Sequence, residues 1–324
     1  EADHNIKNLT ERVARRMTVT DAQLLMFRDA TEAMTALFKL ADNSSGKVMV
    51  AGHASPDIEI AIDRADLEPT EFLGASPFAA DPGMLVSGIT GEAEIIYVAN
   101  PNRITGAGFT FEELNQLARA VPRGLMILDE HYFDFLGITG IPLLNEFPNL
   151  AVVRSFTAGF NIGSESGFIA ASPQIMEKLR GAQYWQRMSS TLAKIITSAL
   201  ANEAAQGQRL TMIHEESLRL SKILAQLGIQ TRLAPADFLL LRVGDTKRFC
   251  NYMVSHKVPV ENIDGYPGLK NYVRYVVKSE FSNDRFIQAI RSMPANYHRI
   301  SVRDKRAIRM VRSPVASEET TLAV

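Results

Sequence analysis

GEAEIIYVANPNRITGAGFTFEELNQLARAVPRGLMILDEHYFDF, residues 91–135, decides how this chain is read. A short apolar run ends in Asn-Pro-Asn-Arg, and a turn rich in Gly follows. Apolar residues then recur at helical spacing, and a second short apolar run ends in Asp-Glu. The spacing predicts a strand over 92–100, a helix within 109–122 and a strand from 124 to about 129.

The same alternation extends in both directions. Thr31 to Leu40 predicts a helix, 47–51 a strand, and EIAIDRADL at 59–67 a second helix. LAVVRSF at 150–156 and GFIAAS at 167–172 predict two more strands. Short apolar strands alternating with amphipathic helices imply an α/β fold, with a mainly parallel sheet covered on both faces. Ligands of such sheets bind beyond the carboxyl ends of the strands. Here Ala99 runs into Asn100-Pro101-Asn102-Arg103, Leu128 into Asp129-Glu130, and Val153 into Arg154-Ser155, which brings one candidate site to one sheet edge.

After Ser172 the pattern is helical as far as Gly228, a natural helix stop. TRLAPADFLLLRV, DTKRFCNYMVSHKV, NYVRYVVKS and NDRFIQAIRSM then alternate strand and helix, as in a small α+β domain. The expected organisation is a large domain over 1–207, a small domain over 208–298, and a solvated tail over 299–324 that is basic, then polar and acidic.

Composition narrows the function. With 46% hydrophobic and 22% charged residues in 324, the chain is long enough for two buried cores. Lys and Arg number 35 against 36 Asp and Glu, so no overall field recruits nucleic acid or an anionic membrane. Any ligand is recognised locally. The single cysteine, Cys250, excludes an internal disulfide, and the histidines, His214 and His256 among them, have no metal-ligand spacing. No apolar run is long enough to span a membrane and the first residues are too polar for a secretory signal. A cytoplasmic location is expected.

Three stretches carry the chemistry: NPNRITG at 100–106, LDEHY at 128–132 and VRSFTAGF at 153–160. In this order and spacing they resemble the NPNNPTG, LDEAY and RTFSKAF stretches of fold-type-I, class I/II pyridoxal-phosphate aminotransferases. Their nearest likeness is to the histidinol-phosphate aminotransferase branch. YVRYVVKS resembles the segment with that family's substrate-carboxylate arginine, and Ala30-Thr31-Glu32-Ala33 its phosphate-cup turn. The resemblance implies a fold-type-I large domain with a small C-terminal domain, and a site built at a dimer interface.

It also implies roles for individual residues. Asp129 corresponds to the carboxylate that pairs with the cofactor's ring nitrogen, and Tyr132 to the tyrosine near its hydroxyl. Ala30 and Thr31 would offer backbone N–H groups to a phosphate at a helix N-terminus. Asn102, Ser155 and Thr157 complete the cofactor-binding set, and Arg274 is the carboxylate clamp.

The departures are equally specific. The position of the Schiff-base lysine is Ala158, while Lys178 and Lys194 lie too far along the chain to replace it. Arg103 stands where the motif has asparagine. The phosphate-binding arginine falls at Glu165 or Ser166, with the loop one residue shorter, and a carboxylate beside a phosphate is repulsive at low dielectric. The aromatic that stacks on the cofactor has no counterpart but His53. Arg103 and Glu165, replacements of inverted character, are expected to form an ion pair. His131 occupies a position usually held by a small residue and is expected to be structural.

Two classes of function stand foremost, beside a third in which the cavity binds another small anion or performs unrelated chemistry, of which the fold alone says nothing. In one, the chain is a pseudoenzyme: a structural, regulatory or ligand-binding homologue that does not transaminate. It would form a homodimer, or a heterodimer with an aminotransferase-like chain, and take a small anionic or amino-acid ligand. In the other it is a pyridoxal-phosphate-dependent aminotransferase for an amino acid or amino-acid phosphate, with the cofactor held non-covalently or Ala158 an engineered replacement.

Overall fold

The computed structural model describes residues 2–40, 46–89, 95–122, 124–163, 165–182 and 188–299. The tail expected from 299 onward therefore lies, apart from Arg299, outside the described residues.

The chain opens with helix α1 (Ala2–Met17), followed by β1 (Leu24–Phe27), α2 (Ala30–Leu40), β2 (Lys47–Ala51), α3 (Pro56–Asp63), β3 (Glu68–Phe72) and α4 (Pro82–Gly88). Then come β4 (Ile95–Ala99), α5 (Phe111–Ala120), β5 (Leu125–Asp129), the single turn α6 (Phe133–Leu136), β6 (Leu150–Ser155), α7 (Thr157–Phe160) and β7 (Gly167–Ala171). These strands form one seven-stranded sheet in the order β1-β7-β6-β5-β4-β2-β3. All neighbours from β6 to β3 are parallel, and β7 runs antiparallel between β6 and β1. The mainly parallel sheet expected from the periodicity is present.

Local chemistry sets several boundaries. Thr110 and Glu113 close a reciprocal capping box at the start of α5, with Glu113 Oε2 accepting from Thr110 N–H at 2.8 Å. Such a cap stabilises a helix by about 1 kcal/mol. Pro56 starts α3 one turn earlier than EIAIDRADL suggested, because its missing N–H costs nothing at the first helical position. That helix ends at Asp63, and β3 follows from Glu68. The charged residues of β3 hid it, since as an edge strand it buries little.

Each face of the large sheet carries its own core. Val98, Met126, Leu128 and Val152 pack with Leu9 and Val13 of α1 and Leu114 and Leu117 of α5. Val50, Ile127, Ala151 and Val153 pack on the other face with Met34 and Phe38 of α2 and Ile58 and Ile62 of α3. Alternation along β4 to β6 assigns successive residues to opposite faces.

The remaining elements are α8 (Pro173–Gly181), α9 (Ser190–Ala201), α10 (Glu203–Gln226), β8 (Gln230–Leu233), β9 (Phe238–Arg242), α11 (Thr246–Ser255), β10 (Glu261–Asn262), β11 (Tyr272–Val276), α12 (Glu280–Ser292) and α13 (Ala295–His298). A second, antiparallel sheet has the order β10-β11-β9-β8 and packs on α10, α11 and α12 through Leu220, Leu241, Phe249, Val273 and Phe286. The boundary expected near residue 207 falls inside α10, which runs unbroken through Gly207, and Gly228 follows its end with φ of 82°.

Candidate active site

Where the two sheets meet, a cluster of Ile104, Tyr132 and Ala158 packs against Ala236, Phe238, Leu240, Ile263 and Leu269. Beside it opens a cavity of about 380 Å³, within the range of small-molecule sites. Ala30, Thr31, Arg103, Tyr132, Glu165 and Arg274, six residues singled out from sequence, line it together with Ser55, Asp57, His131 and Glu261. Residues far apart in sequence thus converge at the carboxyl ends of β2, β4 and β5, where a parallel sheet gathers its ligands.

Arg103 is the electrostatic centre. The turn that carries it is fixed by Asn102, whose Oδ1 accepts from the N–H groups of Ile104 and Thr105, both at 3.0 Å, while its Nδ2 donates to the His53 carbonyl at 2.9 Å. Asn102 is therefore occupied in shaping the loop and does not line the cavity. Arg103 Nη1 lies 2.6 Å from Asp57 and 3.7 Å from Asp129, and Nη2 lies 3.1 Å from His131 Nδ1. The expected Arg103–Glu165 ion pair is not formed. Asp57, at the start of α3, is closer and holds the guanidinium. Burial works against a charged Arg103, but Asp129 and Asp57 outweigh it and raise its pKa.

Asp129 sits behind Arg103, almost fully buried. Its Oδ2 accepts from the Tyr97 hydroxyl at 2.6 Å and its Oδ1 from the His131 N–H at 3.0 Å. Burial raises its carboxyl above the ordinary range, and Arg103 and the Tyr97 hydroxyl pull against that. His131 is buried, and burial together with Arg103 and Arg274 pushes its pKa well down. The neutral ring offers Nδ1 as an acceptor to Arg103. Burial, then the neighbouring Asp237 carboxylate, holds the Tyr132 phenol well above its usual pKa, so it remains protonated.

Arg274, midway along β11, reaches in from the second sheet. Its Nε is 2.8 Å from Glu261, its register partner on β10, and its Nη1 donates to the Arg103 carbonyl at 2.5 Å. The guanidinium lies over the Phe238 ring, 4.8 Å from its centroid.

Ala30 and Thr31, which also line the cavity, begin α2. The N-cap is Asp29, whose Oδ1 accepts from Glu32 N–H at 2.9 Å. Glu165 stands exposed at the mouth. Although the residue as a whole is exposed, its carboxylate is partly screened from water by the surrounding walls, which raises its pKa; Arg103 opposes this, and Asp57, Asp129 and Asp29 raise it further.

Other sequence-selected residues lie off the cavity wall. Ser155 and Thr157 bond to each other, Ser155 Oγ accepting from Thr157 N–H at 2.9 Å. Ala158 is packed in the apolar cluster, and its carbonyl accepts from Arg209 at 3.4 Å. Lys178 and Lys194 belong to α8 and α9, and no lysine is among the described residues lining the cavity. His53 is turned toward Glu71 (3.3 Å) and the Tyr266 ring (5.3 Å). Sequence reading missed Asp57, Tyr97, Ser55 and Glu261. A signal existed for two of them: Asp57 follows a strand end, and Tyr97 is a polar-tipped ring inside an apolar strand.

Just outside the cavity Glu130 is fully buried, accepting from Arg154 Nε and Gly140 N–H, both at 2.6 Å, and from Thr139 Oγ1 at 3.0 Å. This network ties β5 to β6 beneath the site.

Among the described residues no helix is long and apolar enough to cross a membrane, and no cluster of His, Cys, Asp and Glu could hold a metal ion.

Comparison with known proteins accords with this architecture. Histidinol-phosphate aminotransferase 3 of Mesorhizobium japonicum is 28% identical over 295 residues, which cover 89% of this chain and 78% of that protein. The histidinol-phosphate aminotransferase of Caldanaerobacter subterraneus subsp. tengcongensis is 27% identical over 202 residues, 62% of this chain and 57% of that protein. The histidinol-phosphate aminotransferase of Sinorhizobium meliloti, solved in complex with pyridoxal-5'-phosphate, superposes with a TM-score of 0.80 at 18% identity, covering 90% of this chain and 83% of that one. That of Clostridium acetobutylicum gives 0.79 at 18% identity, covering 89% of both chains. These likenesses show the fold-type-I architecture. The model of aminotransferase class I and II matches residues 3–290, and the chain belongs to that family.

Proposed function

We propose that this chain is a non-transaminating member of its family, kept as a ligand-binding, structural or regulatory protein. One observation carries the reading: Arg103 is buried against Asp57, with Asp129 at 3.7 Å, so the carboxylate that would serve a cofactor's ring nitrogen already faces a resident cation. Tyr97 and the His131 N–H take up the rest of Asp129.

Pyridoxal phosphate requires a carboxylate for its ring nitrogen, donors for its phosphate and an amine for exchange with substrate. The residues present do not fit it. Asp29 Oδ1 already accepts from the first turn of α2, and Glu165 lines the same cavity as Ala30 and Thr31, near enough to Asp29 for the two charges to repel. Position 158 carries a methyl group packed among Ile104, Tyr132 and Phe238. Two of these departures are of charge, and restoring one amine leaves both in place.

Asp129, Tyr132 and Arg274 favour a second reading, a pyridoxal-phosphate-dependent aminotransferase like the relatives named above, in which Ala158 replaces an original lysine or the cofactor binds without a covalent link. One titration separates the two. Pyridoxal phosphate is added to the chain and to Ala158→Lys, and absorption is followed beyond that of the free aldehyde. The expected result is no new band in either protein. A saturable new band in either overturns the proposal.

A homodimer, or a heterodimer with an aminotransferase-like chain, and a cytoplasmic location belong to the same reading. Sedimentation of the purified chain at several concentrations tests its self-association.

A further inference from the structure

On the small domain, away from the candidate active site, a recess of about 110 Å³ gathers three cations from three stretches of chain. Lys257 follows α11, Lys278 follows β11, and Arg285 lies in α12. The Ser282 hydroxyl and the Tyr275 ring line the recess with them, and no carboxylate is among the described residues that do. Tyr275 and Arg274 are consecutive on β11, so their side chains leave opposite faces of the small sheet. Tyr275 packs with Leu220, Phe249 and Phe286 of the flanking helices, whereas Arg274 lines the candidate active site.

None of the three cationic side chains has a hydrogen bond or ion pair among the described residues. By contrast, Arg219 holds Glu216 and Asp284, Arg248 holds Asp245, and Arg274 holds Glu261. Asp284, the acid next to Arg285 in sequence, is thereby engaged elsewhere. Like charges gathered around one recess repel, and an anion entering it relieves that repulsion.

The backbone beneath these charges is fixed. Asn283, fully buried, accepts from the Tyr275 hydroxyl at 2.9 Å and from the Lys278 N–H at 3.1 Å, and donates to the Lys278 carbonyl at 2.8 Å. Lys278 is thus pinned through both of its backbone polar groups. Lys257 donates its N–H to the Val254 carbonyl at 2.9 Å. Ser279 donates to Ser282 Oγ at 3.3 Å, which leaves the Ser282 hydroxyl hydrogen for another acceptor.

We infer that this recess binds the phosphate of a small, soluble phosphate monoester. A guanidinium, two ammonium groups and a hydroxyl suit a compact dianion with several acceptor oxygens. All three cations are exposed, so the organic part of the ester projects into solvent. The inference does not depend on how the candidate active site is read, since the two lie on opposite faces of the small sheet.

Isothermal titration at fixed ionic strength tests it, with glycerol 3-phosphate as the probe beside acetate. Saturable binding of the ester is expected, with acetate at least about tenfold weaker. Arg285→Gln should weaken the ester about tenfold and Arg285→Lys less, while Lys278→Gln combined with Arg285→Gln should leave no measurable heat. Lys247→Gln removes the same charge at the far end of α11 and should bind as the parent does. All these side chains are exposed, and matching circular dichroism and melting check the fold of each variant. No heat in the parent, an equal loss in Lys247→Gln, or undiminished binding in the double variant overturns the inference. Flotation with phosphatidylcholine vesicles, with and without phosphatidic acid, separates a soluble ester from a lipid headgroup. No flotation is expected, and capture by the vesicles that carry phosphatidic acid alone overturns the assignment to a soluble ligand.

Discussion

Replacing Arg103 by alanine removes the charge on which the centre of the site depends. The guanidinium is 2.6 Å from Asp57, 3.7 Å from Asp129 and 3.1 Å from His131, and only about a tenth of the side chain is exposed. Asp57 can turn to water, since its side chain is 42% exposed, but that of Asp129 is only 4% exposed. Asp129 would keep the Tyr97 hydroxyl and the His131 N–H and lose its counter-charge. Breaking a buried pair on one side costs about 3–5 kcal/mol. With an unfolding entropy of roughly 2 cal/mol/K per residue, that corresponds to a fall in Tm of about 4–7 °C for a chain of this length.

The pH dependence has a definite sign. Burial already lifts the folded Asp129 carboxyl above its ordinary value, and Arg103 is the strongest influence pulling it down. An acid whose pKa is higher folded than unfolded binds more protons when folded, so its contribution to stability falls as pH rises between the two values. Without Arg103 that interval extends upward. Arg103→Ala should therefore lose more stability at about pH 8 than at about pH 5, each compared with the parent chain at the same pH. Thermal unfolding by circular dichroism at the two values measures this. A loss below about 1 kcal/mol at the higher pH, or an equal loss at both, refutes the reasoning.

Tyr97→Phe deletes the 2.6 Å hydrogen bond to Asp129 and should cost about 1.5–3 kcal/mol in urea unfolding, because the acceptor is a buried carboxylate. Arg154→Ala strands Glu130 and removes a guanidinium 3.4 Å above the Phe133 ring, so a loss of about 3–5 kcal/mol is expected in the same assay. Gly167→Ala would set a methyl 1.9 Å from the Arg154 carbonyl oxygen and 2.5 Å from Phe27 Cζ. Backbone cannot yield as a flexible side chain does, and a loss of about 1–3 kcal/mol should appear as a lower melting temperature.

Periodicity alone determined most of the fold. The strands at 47–51, 125–129, 150–155 and 167–171 were legible because each is a short apolar run ended by polar residues, and burial on both faces demands that composition. Helix α1 and strands β1 and β3 were not. α1 is largely polar, β1 is only four residues long, and β3 is a charged edge strand, so each owes its place to the element it packs on.

At the site, motif order was enough to bring Ala30, Thr31, Arg103, Tyr132, Glu165 and Arg274 to one cavity. Tertiary structure alone decided who pairs with whom. Sequence suggested Glu165 as the partner of Arg103 because both stand where the family pattern is reversed. The fold instead carries Asp57, in the first turn of α3, to within 2.6 Å of the guanidinium, and sets Asp129 and His131 behind it. The spacing of residues along a chain fixes the local path of its backbone. Charge pairing depends on distances between side chains from different strands, and those exist only once the sheet has formed.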